Sequence, residues 1–341
     1  MKDYSMITPE ALTQEAKKIA RFHSRESLYA VLRLLSILTP LFFLLLGFIS
    51  PPTFAVVFVL AVILSAWSLK WEFAADAAME EREKEYDTAF KKLVVRQAAQ
   101  ELFRHYSFEP DKGLEEDEIP LREVLPYSYF AKSTNLLHGF YKGIAFRRAN
   151  LKASVASTYE NQYSTETLLT GQFIDFQNPL KFSSVLYIYT EDMFEEIEEK
   201  IRRSDGEVRA KYLFTTGDKA FDKSFRCLSH DSSEAREILT ADCRNAVMKL
   251  AKSVGAPFVT GFTHDRVFLL IDTGIDHFEP PEYLGYIDKM NLEYETKRVS
   301  QTLKIVCDAI DMVKKSGTEE SSGTDVADEL EAFWKKGTPA T

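Results

Sequence analysis

Two apolar runs near the N-terminus constrain this chain more than anything else in it. Leu34 to Ile49 and Phe54 to Leu69 carry no charge, and between Leu28 and Trp71 only Arg33 and Lys70 do. Each run is 16 residues, short of the roughly 20 that cross about 30 Å of hydrocarbon. Letting Arg33 snorkel and taking in the aromatic flank extends the expected spans to 28–49 and 52–71. Ser50-Pro51-Pro52-Thr53 between them is a tight turn, where proline ends one helix and suits the first turn of the next. Neither run has the polar face of a soluble core helix. The expectation is a two-helix transmembrane hairpin, kinked at Pro40.

Lys2, Lys17, Lys18, Arg21 and Arg25 precede the hairpin, Arg82 and Lys84 follow it, and the connecting loop has no charge. The positive-inside rule then places a multi-pass protein in the cytoplasmic (inner) membrane, with the lipid bilayer as a partner and both termini cytoplasmic. A long polar lead and no small-residue cleavage site make the first run an anchor and not a removable signal.

The whole chain has 341 residues, with 42 Lys+Arg against 52 Asp+Glu and a net charge of −10. That balance, with no basic run, argues against nucleic acid as a partner. Cys227, Cys243 and Cys307 are odd in number and far apart, which suits buried thiols in a reducing compartment better than a disulfide framework.

The fold class read from patterning is α+β. Residues 1–27 form an amphipathic helix with Leu12, Ala16, Ile19 and His23 on one stripe, a candidate to lie along the membrane surface. After the hairpin (28–71), residues 72–106 read as a juxtamembrane helix with Tyr86, Phe90, Leu93, Ala98 and Leu102 at near-helical spacing. Residues 107–282 form a cytoplasmic α+β domain opening on an acidic linker, Glu109–Glu123. Strands are expected at Gly143–Val155, Thr167–Phe176, Lys181–Thr190, Lys211–Thr216 and Lys223–Leu228. A hairpin follows, Phe258–Phe262 with Val267–Ile271. Helices are expected at Glu191–Arg203 and Ser233–Val254, and residues 283–315 form a long amphipathic helix. Its seam of Leu292, Val299, Leu303, Val306, Ile310 and Val313 suits packing on the domain, on the juxtamembrane helix or on a second copy. Residues 316–341 are a mostly disordered tail.

Several pieces together resemble the uncharacterised bacterial membrane-protein family labelled domain of unknown function 3137. They are Gly171-Gln172-Phe173, Phe221-Asp222-Lys223-Ser224-Phe225 and Ser232 to Thr240, followed by Asp265 to Ile271 and His277-Phe278-Glu279-Pro280. The resemblance spans Tyr127–Pro280, and implies a membrane protein with a cytoplasmic α+β domain. It brings no activity and therefore no catalytic residue.

Chemistry is sparse. Thr215-Thr216-Gly217-Asp218-Lys219 lacks the glycine spacing of a phosphate loop. Cys227 with His230 offers a thiol near a base, but closeness in sequence does not supply geometry, and Asp231 or Ser232 serves equally as a helix cap. His264-Asp265 with Asp272, Asp276 and His277 offers oxygen and nitrogen ligands without any recognised metal spacing. No catalytic, cofactor-binding or metal residue is assigned, and no cofactor is expected. The leading expectation is a binding or scaffolding protein that meets a protein partner or a second copy through its long helices. The alternative is a membrane-tethered, hydrolase-like enzyme using the Cys227/His230 or His264/His277 region.

Overall fold

The computed structural model describes residues 12–19, 21, 34, 38, 51–124, 130–159, 162–180, 182–203, 212–280 and 292–316. They fall into two compact units, Met1–Leu93 with Glu279–Glu293, and Val94–Phe278 with Tyr294–Thr341.

In the first unit the expected stripe of the N-terminal helix is buried: Leu12, Ala16 and Ile19 are each at most 2% exposed. His23 lies outside the described residues. Helix α1, Pro51–Leu102, begins at the proline turn and does not stop at Trp71, because the stretch after it is dominated by Ala, Glu, Lys and Arg, which are good helix formers. Among the described residues no helix is long and apolar enough to cross a membrane. This overturns the expected transmembrane hairpin, and with it the multi-pass inner-membrane placement. An unbroken run of 16 residues makes about 24 Å of helix, less than the hydrocarbon thickness, and the extended spans depended on their flanks. Of the first expected span, only Leu34 and Leu38 are among the described residues.

The second unit is built on one antiparallel sheet of nine strands in the order β1-β2-β3-β4-β9-β8-β5-β7-β6. These are β1 Tyr106–Glu109, β2 Phe130–Tyr141, β3 Ile144–Tyr159, β4 Gln162–Gln177, β5 Leu186–Thr190, β6 Leu213–Phe214, β7 Phe225–Ser229, β8 Phe258–Phe262 and β9 Arg266–Asp272. The first four are joined as a meander. Lys142 and Gly143, with φ of 51° and 80°, make the two-residue turn that matches strand twist between β2 and β3. β9 then pairs with β4 on one side and β8 on the other. Gly171 sits at the β4–β9 seam, where a Cβ would fall 1.9 Å from the Ile271 carbonyl oxygen.

One face of the sheet carries Leu151, Phe173, Phe268, Leu270, Val259 and Leu228. Covering it are α2 (Leu121–Val124), the 3-10 turn Glu116–Glu118 just before it, and α3 (Glu191–Arg203). The acidic stretch expected as a linker thus buries Leu114, Ile119 and Leu121 in the core, with Val124 just after it. The other face carries Phe146, Ile174, Leu269, Ile271 and Phe258, all fully or almost fully buried. Phe103 packs on Phe146 there with ring centres 4.6 Å apart.

Three helices between the strands are set by their caps. Asp218 caps α4 (Lys219–Ser224), Asp231 caps α5 (Ser232–Ile238), and the Thr240 hydroxyl accepts from Cys243 N to start α6 (Ala241–Val254). The single helix expected over Ser233–Val254 is therefore two, because Thr240 caps the second. Helix α7, Leu292–Ser316, uses its seam inside the unit: Val299, Leu303, Val306, Ile310 and Val313 are fully buried. Its flanks bond to the same unit through Thr296 to Gln97, Asp308 to Ser253 and Asp311 to Lys142.

Candidate functional site

Strand β3 sets two arginines back to back. Successive side chains on a strand face opposite ways, so Arg147 and Arg148 enter opposite sides of the sheet. Arg147 lies directly across from Asp175 and grips it with two bonds, Nε to Oδ1 at 3.0 Å and Nη2 to Oδ2 at 2.6 Å. Its remaining nitrogen reaches Glu118, whose backbone carbonyl also accepts from Arg266. Burial works against the Arg147 charge, but the two carboxylates hold its pKa above the ordinary arginine value. This is a satisfied structural network.

Arg148 is its opposite. The side chain is 0% exposed, yet Nη1 and Nη2 have no hydrogen-bond partner. Nε donates to Gln172 Oε1 at 3.3 Å, and the guanidinium carbon lies 3.8 Å from the centre of the Phe278 ring. Burial pushes the Arg148 pKa down to about 9, with Asp276 pulling the other way, so the group is still charged near neutral pH.

The surroundings repeat the pattern. Asn150 stands two residues further along β3, and Gln172 is its register partner on β4. Asn135 sits in the bulge of β2, where the pairing slips between Thr134 and Leu137, with a φ of 59°. Both side-chain ends of Asn150, Gln172 Nε2 and Asn135 Oδ1 are buried without partners. The amide orientations are fixed by chemistry. Gln172 must present oxygen to Arg148 Nε, and Asn135 must present nitrogen to Asp276 Oδ2, at 2.9 Å. Each orphaned group costs about 1–3 kcal/mol, and an unpaired buried charge costs more. Stability alone does not produce such a cluster.

The segment after β9 closes over these residues. Thr273 N and Gly274 N both donate to the Thr170 carbonyl, and Asp276 Oδ1 accepts from Phe278 N. Arg298 of α7 donates to the His277 carbonyl and to Glu295. Burial first, then Arg148 and Arg298, push the His277 pKa down, with Asp276 opposing. Phe278 is itself fully buried and meets Phe108 edge-on at 5.9 Å.

Of the residues singled out from sequence, Asp276 and His277 lie at this cluster, and the others lie elsewhere. Cys227 is in the middle of β7 at 2% exposure, and burial, aided by Asp222, pushes its thiol up to about 12. His230 is exposed beyond the strand end, its ring 4.1 Å from that of Tyr212. His264 occupies the exposed β8–β9 turn and His277 follows the far end of β9, so a seven-residue strand of roughly 20 Å separates them. The Thr216 and Gly217 amides that a phosphate would use are held by the Asp222 carboxylate. Among the described residues no group of three His, Cys, Asp or Glu could hold a metal ion.

Comparison with known proteins finds one family match, which takes in part of the cluster. Residues 167–314 match the family described as a protein of unknown function (DUF3137). The matched stretch runs from β4 into α7 and includes Gln172, Asp276, His277, Phe278 and Arg298. The resemblance to this family is borne out, and the match begins at 167, well after Tyr127, where the resemblance in sequence begins. Asn135, Arg148 and Asn150 lie before the matched stretch. No curated protein matches the chain. A distant structural neighbour is the mycobacterial trehalose monomycolate transport factor A, TtfA, at 10% identity and a TM-score of 0.31, covering 68% of this chain and 98% of that one.

Proposed function

We propose that the sheet unit is a binding module and not a catalyst, and that Arg148 with the amides around it receives an anionic group from its ligand. One observation carries the reading: a wholly buried, charged guanidinium has no acceptor on either terminal nitrogen. A bound anion would supply that acceptor, and a ligand that binds only the folded state repays the cost of holding the charge dry. The placement of Cys227, His230, His264 and His277 supports binding over hydrolysis, because neither pair shares a site.

The test is thermal unfolding of the full chain in sodium chloride, nitrate, phosphate, sulfate, acetate and lactate at equal ionic strength. The binding reading expects at least one anion to raise Tm in a saturable way, with the rise lost in Arg148→Met. Equal behaviour in all six salts would sink it, as would hydrolysis of a chromogenic ester abolished by Cys227→Ser.

A further inference from the structure

We infer that the group taken by Arg148 is a carboxylate with a neighbouring N–H or O–H donor, an inference that rests on the binding reading above. Nη1 and Nη2 together form a planar fork, the geometry that meets the two oxygens of a carboxylate. Charge argues against a phosphate dianion. Arg148 is the one cation of the cluster not already engaged by a carboxylate, since Arg298 holds Glu295. Asp276 adds a negative charge within electrostatic reach of Arg148. A second negative charge on the ligand would meet Asp276 without a second cation.

The chain's own Asp276 shows what these groups accept. Its carboxylate already takes the Asn135 Nδ2 hydrogen at 2.9 Å and the Phe278 backbone hydrogen at 2.7 Å. The remaining orphans then describe the rest of the ligand. Asn135 Oδ1 and Asn150 Oδ1 are acceptors awaiting a hydrogen, while Gln172 Nε2 and Asn150 Nδ2 are donors awaiting an oxygen. A bare carboxylate would satisfy the donors and leave the two oxygens unmet. A hydroxyl or amide N–H beside the carboxylate supplies one hydrogen and meets one of them as well. Two sources share that chemistry, a small hydroxy acid and the C-terminal end of a peptide.

Titration calorimetry on the full chain separates the outcomes, with sodium lactate and N-acetylglycine as the two probes, and acetate and phosphate as controls. Lactate or N-acetylglycine should bind saturably and about tenfold more tightly than acetate, the worth of one good added hydrogen bond. The tighter of the two identifies the source. Arg148→Met should abolish this binding, and Asp276→Asn should strengthen it several-fold by removing a competing negative charge. Should Arg148→Met fail to fold, Asp276→Asn decides, and unchanged or weaker carboxylate binding there overturns the inference. Acetate binding as tightly as lactate and N-acetylglycine also overturns it. Phosphate binding more tightly than either probe, and lost in Arg148→Met, would overturn the carboxylate while leaving the binding module standing. Saturable heat from none of the four overturns the carboxylate inference, and the salt series above then decides the binding module.

Discussion

The guanidinium carbon of Arg148 stands 3.8 Å from the centre of the Phe278 ring, and that aromatic face substitutes for the anion the arginine lacks. A ring quadrupole contributes about 2 kcal/mol or more in a desolvated site, well below the cost of burying the charge. The pair is therefore a weak closure over a costly group.

Replacing the charge with an apolar side chain of similar length should leave the protein as stable or more so. Arg148→Met is expected to raise unfolding free energy in urea by about 1–4 kcal/mol, as for other buried charges replaced by hydrophobes. A loss of that size would mean that the guanidinium is paired and structural. In the Arg148→Met background Phe278→Leu should cost about 2 kcal/mol less than in the unaltered chain, the cation–π share.

Acid should loosen the same region. Burial holds the His277 and His138 pKa values below the ordinary 6.5, against the pull of Asp276 and Glu109 respectively. As pH falls below about 6.5 the unfolded chain takes up protons before the folded one does, so stability is present above that pH and lost beneath it. Urea midpoints between pH 5 and pH 8 should show this slope, and His277→Gln should flatten it.

The thiols should be silent in the folded state. All three are buried, and burial pushes Cys227 and Cys307 up to about 12, with nearby aspartates adding to the shift in each case. Iodoacetamide at pH 8 should label none of them natively and all three after denaturation. The same shift predicts stability falling with rising pH between about 9 and about 12, where the unfolded thiols ionise first.

At the β4–β9 seam there is no room for a methyl group. Gly171→Ala should cost about 1–3 kcal/mol or more, read as a drop in urea midpoint, because the atom it meets is the Ile271 backbone and not a movable side chain.

Local pattern made much of this fold legible. Glu191–Arg203 and Phe258–Phe262 fall within the bounds expected of them, one as a short charged helix and the other as the first strand of the hairpin that turns at Thr263–Arg266. The long strand β2 was not foreseen, since Lys132, Ser133 and Thr134 dilute its apolar residues and the bulge at Asn135 breaks the period of two. The apolar runs misled through their flanks, which a helix carries onward without regard to where hydropathy changes. Arg148 was illegible for a different reason. Arg147-Arg148 reads as an ordinary polar pair, and what separates them is an aspartate 28 positions away that serves one and not the other. Sequence spacing along β3 could flag two opposed cations, but not that one of them would be left over.

The placement of β9 between β4 and β8 has a consequence in time. β1 to β4 are neighbours along the chain and can pair as each is made, whereas β4 must wait 88 residues, from Asn178 to Asp265, before Arg266 offers it a partner. Until then the growing polypeptide holds two half-sheets with open edges, a state exposed to wrong pairing and slow to resolve because its contacts are distant. Release of β9 from the ribosome is the event that joins them, and the Asp276–Phe278 segment that closes over Arg148 is made directly after it.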